Sequence, residues 1–494
     1  MEWVHIELQR VQNWLFSVPK LRAMIGANTL LGEFLRIELP KMARTGEGWK
    51  LASAAAGFPS SDPADPLAEH DDPARDASDG ILSRDGGHFE AMFSMGAEAF
   101  ARSAAEALSQ QLRGLRFRTW VNEREFSVMA PELSLELPVL MPCQWTGRGL
   151  ASRVIRQGDE IAEVSVEVAA RHEAARRAEE SRAKDLASLL RAKSKLKALG
   201  SPEDFDNLAG GGYLAVIHAD GNAVGMSRPA EVPRQAAFHH RNRVLLRRAL
   251  QVAIDRACEG ATAAPIIPLM LGGDDVLVVA RASVALRFVA DLCRELERLQ
   301  ENRGADFHLT LGVGVVFAKP AVPFHRLHEV AENLAASAKR RFRGFAENEK
   351  ASVLDWAVYT TAWVDDPAEM RRRDWLRGAG EDVRVLSSRP MRVSGGGLSS
   401  LEGLVQAATE LSGAPRSQLR YLIEQLPRGR ALSELAFKEL SKSAHEALNR
   451  AGVTCVWNNG QPASTSVLDL VEVFEINNLG RGSKNQGVVG GGHA

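Results

Sequence analysis

Leu271-Gly272-Gly273-Asp274-Asp275-Val276 stands between two strongly apolar runs, Ile266–Leu271 and Val276–Arg281, which sets its two carboxylates on a tight β-hairpin at a sheet edge. Glycine there supplies positive φ and lets a phosphate approach the backbone. About fifty residues upstream, the apolar run Leu214–Ile217 leads into His218-Ala219-Asp220-Gly221-Asn222-Ala223-Val224-Gly225, so that an acid ends a buried strand and glycine loosens the chain after it.

Around these two stretches the pattern predicts a strand over Tyr213–Ala219, a helix over Pro233–Cys258, the hairpin strands, a helix over Val284–Gln300, a strand over Phe307–Phe317, a helix over Phe324–Phe342 and a last strand near Ser352–Tyr359. This is the β-α-β-β-α-β order of a ferredoxin-like palm. In that order the end of the first strand lies beside the hairpin, and Asp220 converges with Asp274 and Asp275. Three close carboxylates repel unless divalent cations fill the site, with Gly221 beside them. Mg²⁺ or Mn²⁺ held this way lowers the pKa of an attacking ribose hydroxyl and carries the charge of departing pyrophosphate, which is nucleotidyl transfer. Backbone N–H groups from Asn222 through Ala223 and Val224 to Gly225 would hold the triphosphate, Gly272 and Gly273 would admit it, and Lys339 would reach it as a point charge. Lys339 also reads as one of a solvated basic cluster with Arg340, Arg341 and Arg343.

The amino-terminal part repeats the order: strand Trp3–Leu8, an amphipathic helical stretch to Leu35, a hairpin around Asp85-Gly86-Gly87, a helix over Ala97–Leu112 and a strand over Leu115–Val121. Asp85-Gly86-Gly87-His88-Phe89 takes the place of Gly272-Gly273-Asp274-Asp275, so the first half reads as a diverged duplicate without the catalytic acids. The expected fold is α+β, with a degenerate palm over 1–145, a charged helical connector over 146–208, a catalytic palm over 209–375, a helical domain over 390–478 and a disordered tail over 479–494. Within the first palm, residues 57–80 are crowded with Pro, Asp, Ser and Ala and read as a mobile surface loop. The connector, with Arg171, Arg176 and Arg177 among its charges, reads as exposed, and the Gly-rich Ser394–Gly397 as a linker.

At 494 residues with 45% hydrophobic residues, 25% charged residues and a net charge of -1, the chain has ample material for several cores, and nucleic-acid contact requires local patches. Arg241, Arg243, Arg247 and Arg248 offer one such patch, but read first as a solvated face or protein contact. Cys143, Cys258, Cys293 and Cys455 form no Cys-x-x-Cys pair, which argues against a zinc knuckle or a disulfide framework. Neither a signal segment nor a membrane-length apolar run is present, and the expected location is the cytoplasm. His70-Asp71 lies in the expected loop without further ligands, and is not read as a nuclease site.

Asp220-Gly221-Asn222-x-x-Gly225, Gly272-Gly273-Asp274-Asp275 and Ala338-Lys339 together resemble the large palm-domain subunit of type III CRISPR effector complexes, of Cmr/Csm type. Ile6-Glu7-Leu8-Gln9-Arg10-Val11-Gln12-Asn13-Trp14-Leu15 and Gly26-Ala27-Asn28-Thr29-Leu30-Leu31 look like that family's first palm. GGDEF diguanylate cyclases are a more distant likeness. The resemblance implies conversion of ATP to cyclic oligoadenylate in an assembly with other subunits, guide RNA and target RNA. The sequence is read as departing from the family in three ways: an HD nuclease domain is not expected, the stretch between the palms has no cysteines, and Asn222 stands where Asp is common. A free-standing polymerase or cyclase making a cyclic dinucleotide, and a scaffold that binds nucleotide without turnover, are the alternatives.

Overall fold

The structure is a computed structural model and describes residues 1–53, 64–126, 141–157, 160–229, 232–301, 307–346, 349–359, 375–378 and 383–479. The tail expected to be disordered, from residue 480 on, and the first part of the expected loop, residues 57–63, lie outside them. Two compact units divide the chain: Met1–Asp204 with Ala223–Val278, and Phe205–Asn222 with Val279–Ala494.

In the first unit, β1 (Glu2–Gln9), β2 (Lys50–Leu51), β3 (Ile81–Ser83), β4 (His88–Met95), β5 (Arg116–Val121) and β6 (Arg124–Phe126) form a sheet of order β2-β4-β1-β5-β6, with β3 also on β4. Side chains alternate along β1, burying Val4, Ile6 and Leu8 while His5 and Glu7 stay half-buried. The buried face includes Phe89, Ala91 and Phe93, and the helix Ala97–Gln111 adds Phe100, Ala104 and Leu108 to this core. A small hairpin, β7 (Arg153–Gln157) with β8 (Glu160–Val164), precedes the helix Val166–Glu179.

That helix corrects the expectation of an exposed connector. It packs against the helix Leu21–Glu33 at Gly26, where an added Cβ would meet the Arg171 carbonyl oxygen at 1.7 Å. Arg171 is fully buried, lies over the Trp14 ring at 4.3 Å and donates to the Trp14 carbonyl at 3.0 Å. Its planar guanidinium donates to that carbonyl and to the Glu167 carboxylate while stacking on the ring, as a compact lysine ammonium would not. Arg176 does remain exposed, paired with Glu173.

The described part of the expected mobile loop is also ordered. Leu67 is fully buried, Pro73–Ser78 form a helix, and Asp71 is 4% exposed. Asp71 is paired with Arg36, with Arg84 at 2.7 Å and with Arg247 at 2.5 Å. Asp85 is paired with Arg36 and with Arg243 at 2.7 Å, Asp65 with Arg247 at 2.8 Å, and Asp76 with Arg84. Four buried arginines and four aspartates thus pair with one another out of water, and Arg44 joins Asp76 from a more exposed position. Arg243 and Arg247, expected to face solvent or a partner, are spent inside this network.

The strands β9 (Leu214–Gly221), β10 (Ile266–Gly272), β11 (Asp275–Arg281), β12 (Leu311–Ala318) and β13 (Val353–Val358), with Met391–Arg392 last, run in the order β10-β11-β9-β12-β13. β11 itself crosses the division between the units. Burial is nearly continuous along β9 and complete along β12, as befits strands covered on both faces. In the second unit β12 pairs antiparallel with β9 and parallel with β13. The helices Ala282–Arg298 and Phe324–Arg343 contribute Phe288, Val289, Leu292, Leu327, Leu334 and Ala338 to the apolar interior.

The Gly-rich Ser394–Gly397 is held rather than loose: Ser394 donates to Glu297 at 2.8 Å and the Gly395 N–H to Glu402 at 3.2 Å. Five helices follow, from Leu401–Glu410 to Val467–Asn478. Leu419, Leu422 and Leu440 lie in their interior, whereas Leu435 is exposed. Among the described residues no helix is long and apolar enough to cross a membrane.

Candidate active site

Strand β9 delivers Asp220 and Gly221 at its end, and Asn222 follows. All three belong to the second unit, as does Lys339 on the helix Phe324–Arg343. The Lys339 ammonium donates to the Asp220 carboxylate, so the lysine read as a phosphate contact sits on the first of the predicted acids.

Glycine makes this pairing possible. In the β12–β9 register Gly312 stands opposite Asp220 and Gly314 opposite His218. A Cβ on Gly312 would lie 2.6 Å from Lys339 Cγ and 3.0 Å from Asn222 Oδ1, and one on Gly314 only 2.0 Å from the Ala331 carbonyl oxygen. The two glycines share one face of β12, and the helix settles onto that face at backbone distance. Glycine at alternate positions of an otherwise apolar strand is the signal that could have found this contact.

Asn222 is 1% exposed and doubly tied to Thr310: its N–H donates to the Thr310 carbonyl at 2.8 Å and its Nδ2 to Thr310 Oγ1 at 3.1 Å. Its Oδ1 has no hydrogen-bond partner among the described residues. The sequence reading assigned Thr310 no part in this site, since a threonine before a strand has no distinctive spacing.

His218, two residues before Asp220, faces His328 with ring centroids 5.6 Å apart at 87°. Burial pushes the His218 imidazole down to about 4, the Lys339 charge adding to the effect and Asp220 opposing it. Burial, with His218 beside it, pushes His328 down to about 3. Both rings are therefore neutral at neutral pH.

The other predicted residues belong to the first unit. Ala223 has φ 57°, a left-handed conformation that costs a non-glycine residue about 1 kcal/mol. The Ser227 N–H donates back to the Ala223 carbonyl at 3.0 Å, closing a turn in which Val224 is buried and Gly225 exposed. Gly272 ends β10, Gly273 turns with φ 46°, Asp274 completes the turn and Asp275 opens β11. Both acids are half-buried. A Cβ on Gly272 would come within 3.4 Å of the Gly86 backbone, so the two glycine turns of this unit meet face to face. Burial works against ionisation of Asp85, but Arg243 and Arg36 outweigh it and hold its carboxyl well below the usual range.

Residues 213–345 match the family model of Cas10/Cmr2, second palm domain. That stretch is similar to this family's second palm, and the resemblance to the large subunit of type III CRISPR complexes rests on it. No curated protein matches the chain in sequence. Among solved structures, the chain is similar to a Csm1–Csm4 cassette in complex with one ATP, at 12% identity, TM-score 0.41, 69% of this chain and 53% of that one. It is similar to a Csm1–Csm4 cassette in complex with cA4, at 11% identity, TM-score 0.45, 97% of this chain and 69% of that one. A third is Csm1 in T.onnurineus, at 14% identity, TM-score 0.46, 97% of this chain and 69% of that one. The chain thus spans about half the length of the first and about two thirds of the other two.

Proposed function

We propose that this chain is a large subunit of a type III CRISPR complex that joins ATP into cyclic oligoadenylate, with Asp220, Asp274 and Asp275 as its metal-holding acids. The observation that carries the reading is the Lys339–Asp220 pair at the end of a buried palm strand, within the stretch that matches the family's second palm. Cationic charge is drawn to this carboxylate, and the acids assigned to the site offer hard oxygen donors, the set that suits Mg²⁺ or Mn²⁺.

Asp220, Asp274, Asp275 and the Gly221 carbonyl would hold the ions. When bound, these supply a lowered pKa for the attacking ribose hydroxyl and compensation for the charge leaving on pyrophosphate. The chain's own groups do the positioning. Backbone N–H groups of Asn222, Ala223, Val224 and Gly225 cradle the triphosphate, and Gly272 and Gly273 leave room for it. Lys339 exchanges the Asp220 carboxylate for phosphate oxygens, which it meets as a mobile point charge. The hydroxyl of one nucleotide then attacks the α-phosphorus of the next, one P–O bond forming as the bond to pyrophosphate breaks.

The first sheet supports the role of a degenerate partner palm. Its strands β3, β4, β1 and β5 are arranged as β10, β11, β9 and β12 are, and its turn acid Asp85 is already committed to two arginines. Such a palm binds an acceptor nucleotide without metals of its own, so one chain supplies both halves of the reaction. Other type III subunits, guide RNA and target RNA are the partners in this reading.

The test is incubation with each ribonucleoside triphosphate and Mg²⁺ or Mn²⁺, with and without the assembled, target-bound complex, products being read by mass spectrometry. Cyclic oligoadenylate from ATP in the assembled sample, absent with the Asp274→Ala, Asp275→Ala double variant, is the expected result. Product from the chain alone would point to a free-standing cyclase, and nucleotide binding without product to a scaffold.

A further inference from the structure

On the face of β9 that carries Asp220, three side chains bring metal-ligand atoms together that the proposed chemistry does not use. His218 comes from the strand, and His328 and Glu332 from the helix Phe324–Arg343, one turn apart on its strand-facing side. Their ligand atoms all lie within 4.8 Å of one another, and His328 Nδ1 is 3.6 Å from Glu332 Oε2. The contact at Gly314, opposite His218, holds helix and strand at this spacing.

We propose that His218, His328 and Glu332 form a binding site for a divalent transition ion of the zinc type, separate from the acids of the proposed active site. Two imidazoles and one carboxylate are a ligand set that zinc favours, at about 2.0 to 2.2 Å from the ion. Four ligands at that distance stand about 3.4 Å apart at tetrahedral corners. The 3.6 Å separation already meets this, and the widest pair needs to close by little more than an ångström.

The histidines are 6% and 3% exposed, while the Glu332 side chain is 37% exposed, so an ion enters from the carboxylate side and keeps its fourth position toward solvent. Mg²⁺ takes oxygen ligands and does not compete for the imidazoles. Occupancy would pin the helix that carries Lys339 to the strand that carries Asp220, fixing the distance between them. The site itself rests on the three side chains alone and stands whether or not the chain makes cyclic oligoadenylate.

The experiment is calorimetric titration of the chelator-treated, untagged full chain with Zn²⁺ in excess Mg²⁺, together with the visible spectrum after Co²⁺ is added instead. One equivalent should bind, with the strong absorption of four-coordinate Co²⁺. Glu332→Gln, at a half-exposed position that leaves folding intact, and His328→Asn should each weaken binding by roughly 100-fold or more, since changes to groups behind the ligands alone cost about 10- to 100-fold. His239→Asn, at a histidine that belongs to the first unit and not to the second that holds the three ligands, and the Asp274→Ala, Asp275→Ala double variant should bind as the parent does. Failure of the parent chain to bind one equivalent, unchanged affinity in Glu332→Gln, or loss of binding in the double variant would each overturn the proposal.

Discussion

Lys339 reaches Asp220 across β12 at Gly312, where that strand has no side chain to stand between the lysine stem and the carboxylate. Two residues on, Gly314 lets the same helix touch the strand backbone. The two glycines should respond differently to alanine. At Gly314 the new Cβ meets backbone, which cannot yield, and the expected loss is about 1 to 3 kcal/mol of overpacking. At Gly312 it meets first the flexible stem of Lys339, so stability should fall less while the Lys339–Asp220 pair is displaced. Urea unfolding of both variants checks this; equal midpoints would show that the helix does not lean on β12 through Gly314.

Lys339→Met keeps the apolar stem and removes the charge. If Lys339 transfers from Asp220 to phosphate during turnover, product formation should fall by roughly 10² to 10³, the size found when one stabilising donor is removed from a reacting centre. Product yield at saturating ATP is the readout. A parental rate would restrict Lys339 to neutralising Asp220 in the resting protein.

The palm elements could be read from the sequence because apolar runs of strand length alternate with helical periodicity, and the hairpin acids because Gly-Gly-Asp-Asp has a distinctive spacing. What stayed hidden was pairing at a distance. Residues 64–80 have the composition of a solvated loop, and composition does not say that Asp65, Asp71 and Asp76 meet arginines from elsewhere in the chain. Arg171 lies in a run of mixed charge that is exposed at Arg176 and buried five residues earlier, and only the approach of Gly26 explains the difference. Helix periodicity placed His328 and Lys339 on a helix but could not pair them with His218 and Asp220.

Asp71 binds three arginines, and its removal leaves their charges buried. Asp71→Ala should cost about 3 to 5 kcal/mol, the usual penalty for breaking a buried ion pair from one side. Chemical unfolding measures it. A cost below about 1 kcal/mol, the range of surface pairs, would mean that water reaches the network.

Asp85 gives the network a pH dependence of defined sign. Its folded carboxyl is held below the ordinary value because Arg243 and Arg36 outweigh the effect of burial. A depressed folded pKa contributes stability above the unfolded value of about 3.9, and that contribution is lost as pH falls toward the folded one. The stability gap between the parent and Asp85→Asn should therefore be constant from pH 7 to about pH 5 and shrink below it. Unfolding midpoints at pH 7, 5, 4 and 3 decide the matter, and a gap that widened with acid would reverse the sign assigned to Asp85.

Asn222→Asp tests whether the buried amide is a neutral stand-in for a metal-facing carboxylate. Asn222 Nδ2 donates to Thr310 Oγ1, and a carboxylate at the same place can still accept from that hydroxyl. It would also add a negative charge two residues from Asp220, in a position 1% exposed. Without divalent ion the variant should melt below the parent, because a buried charge beside another carboxylate is costly. With Mg²⁺ it should recover more than the parent gains, because the added charge raises affinity for the ion, and the midpoint of Mg²⁺ activation should move to lower concentration. Melting curves across a Mg²⁺ titration read the first effect, and product yield across the same titration reads the second. A variant destabilised equally at every Mg²⁺ concentration would place residue 222 outside the metal's reach and leave its pairing with Thr310 as its whole role.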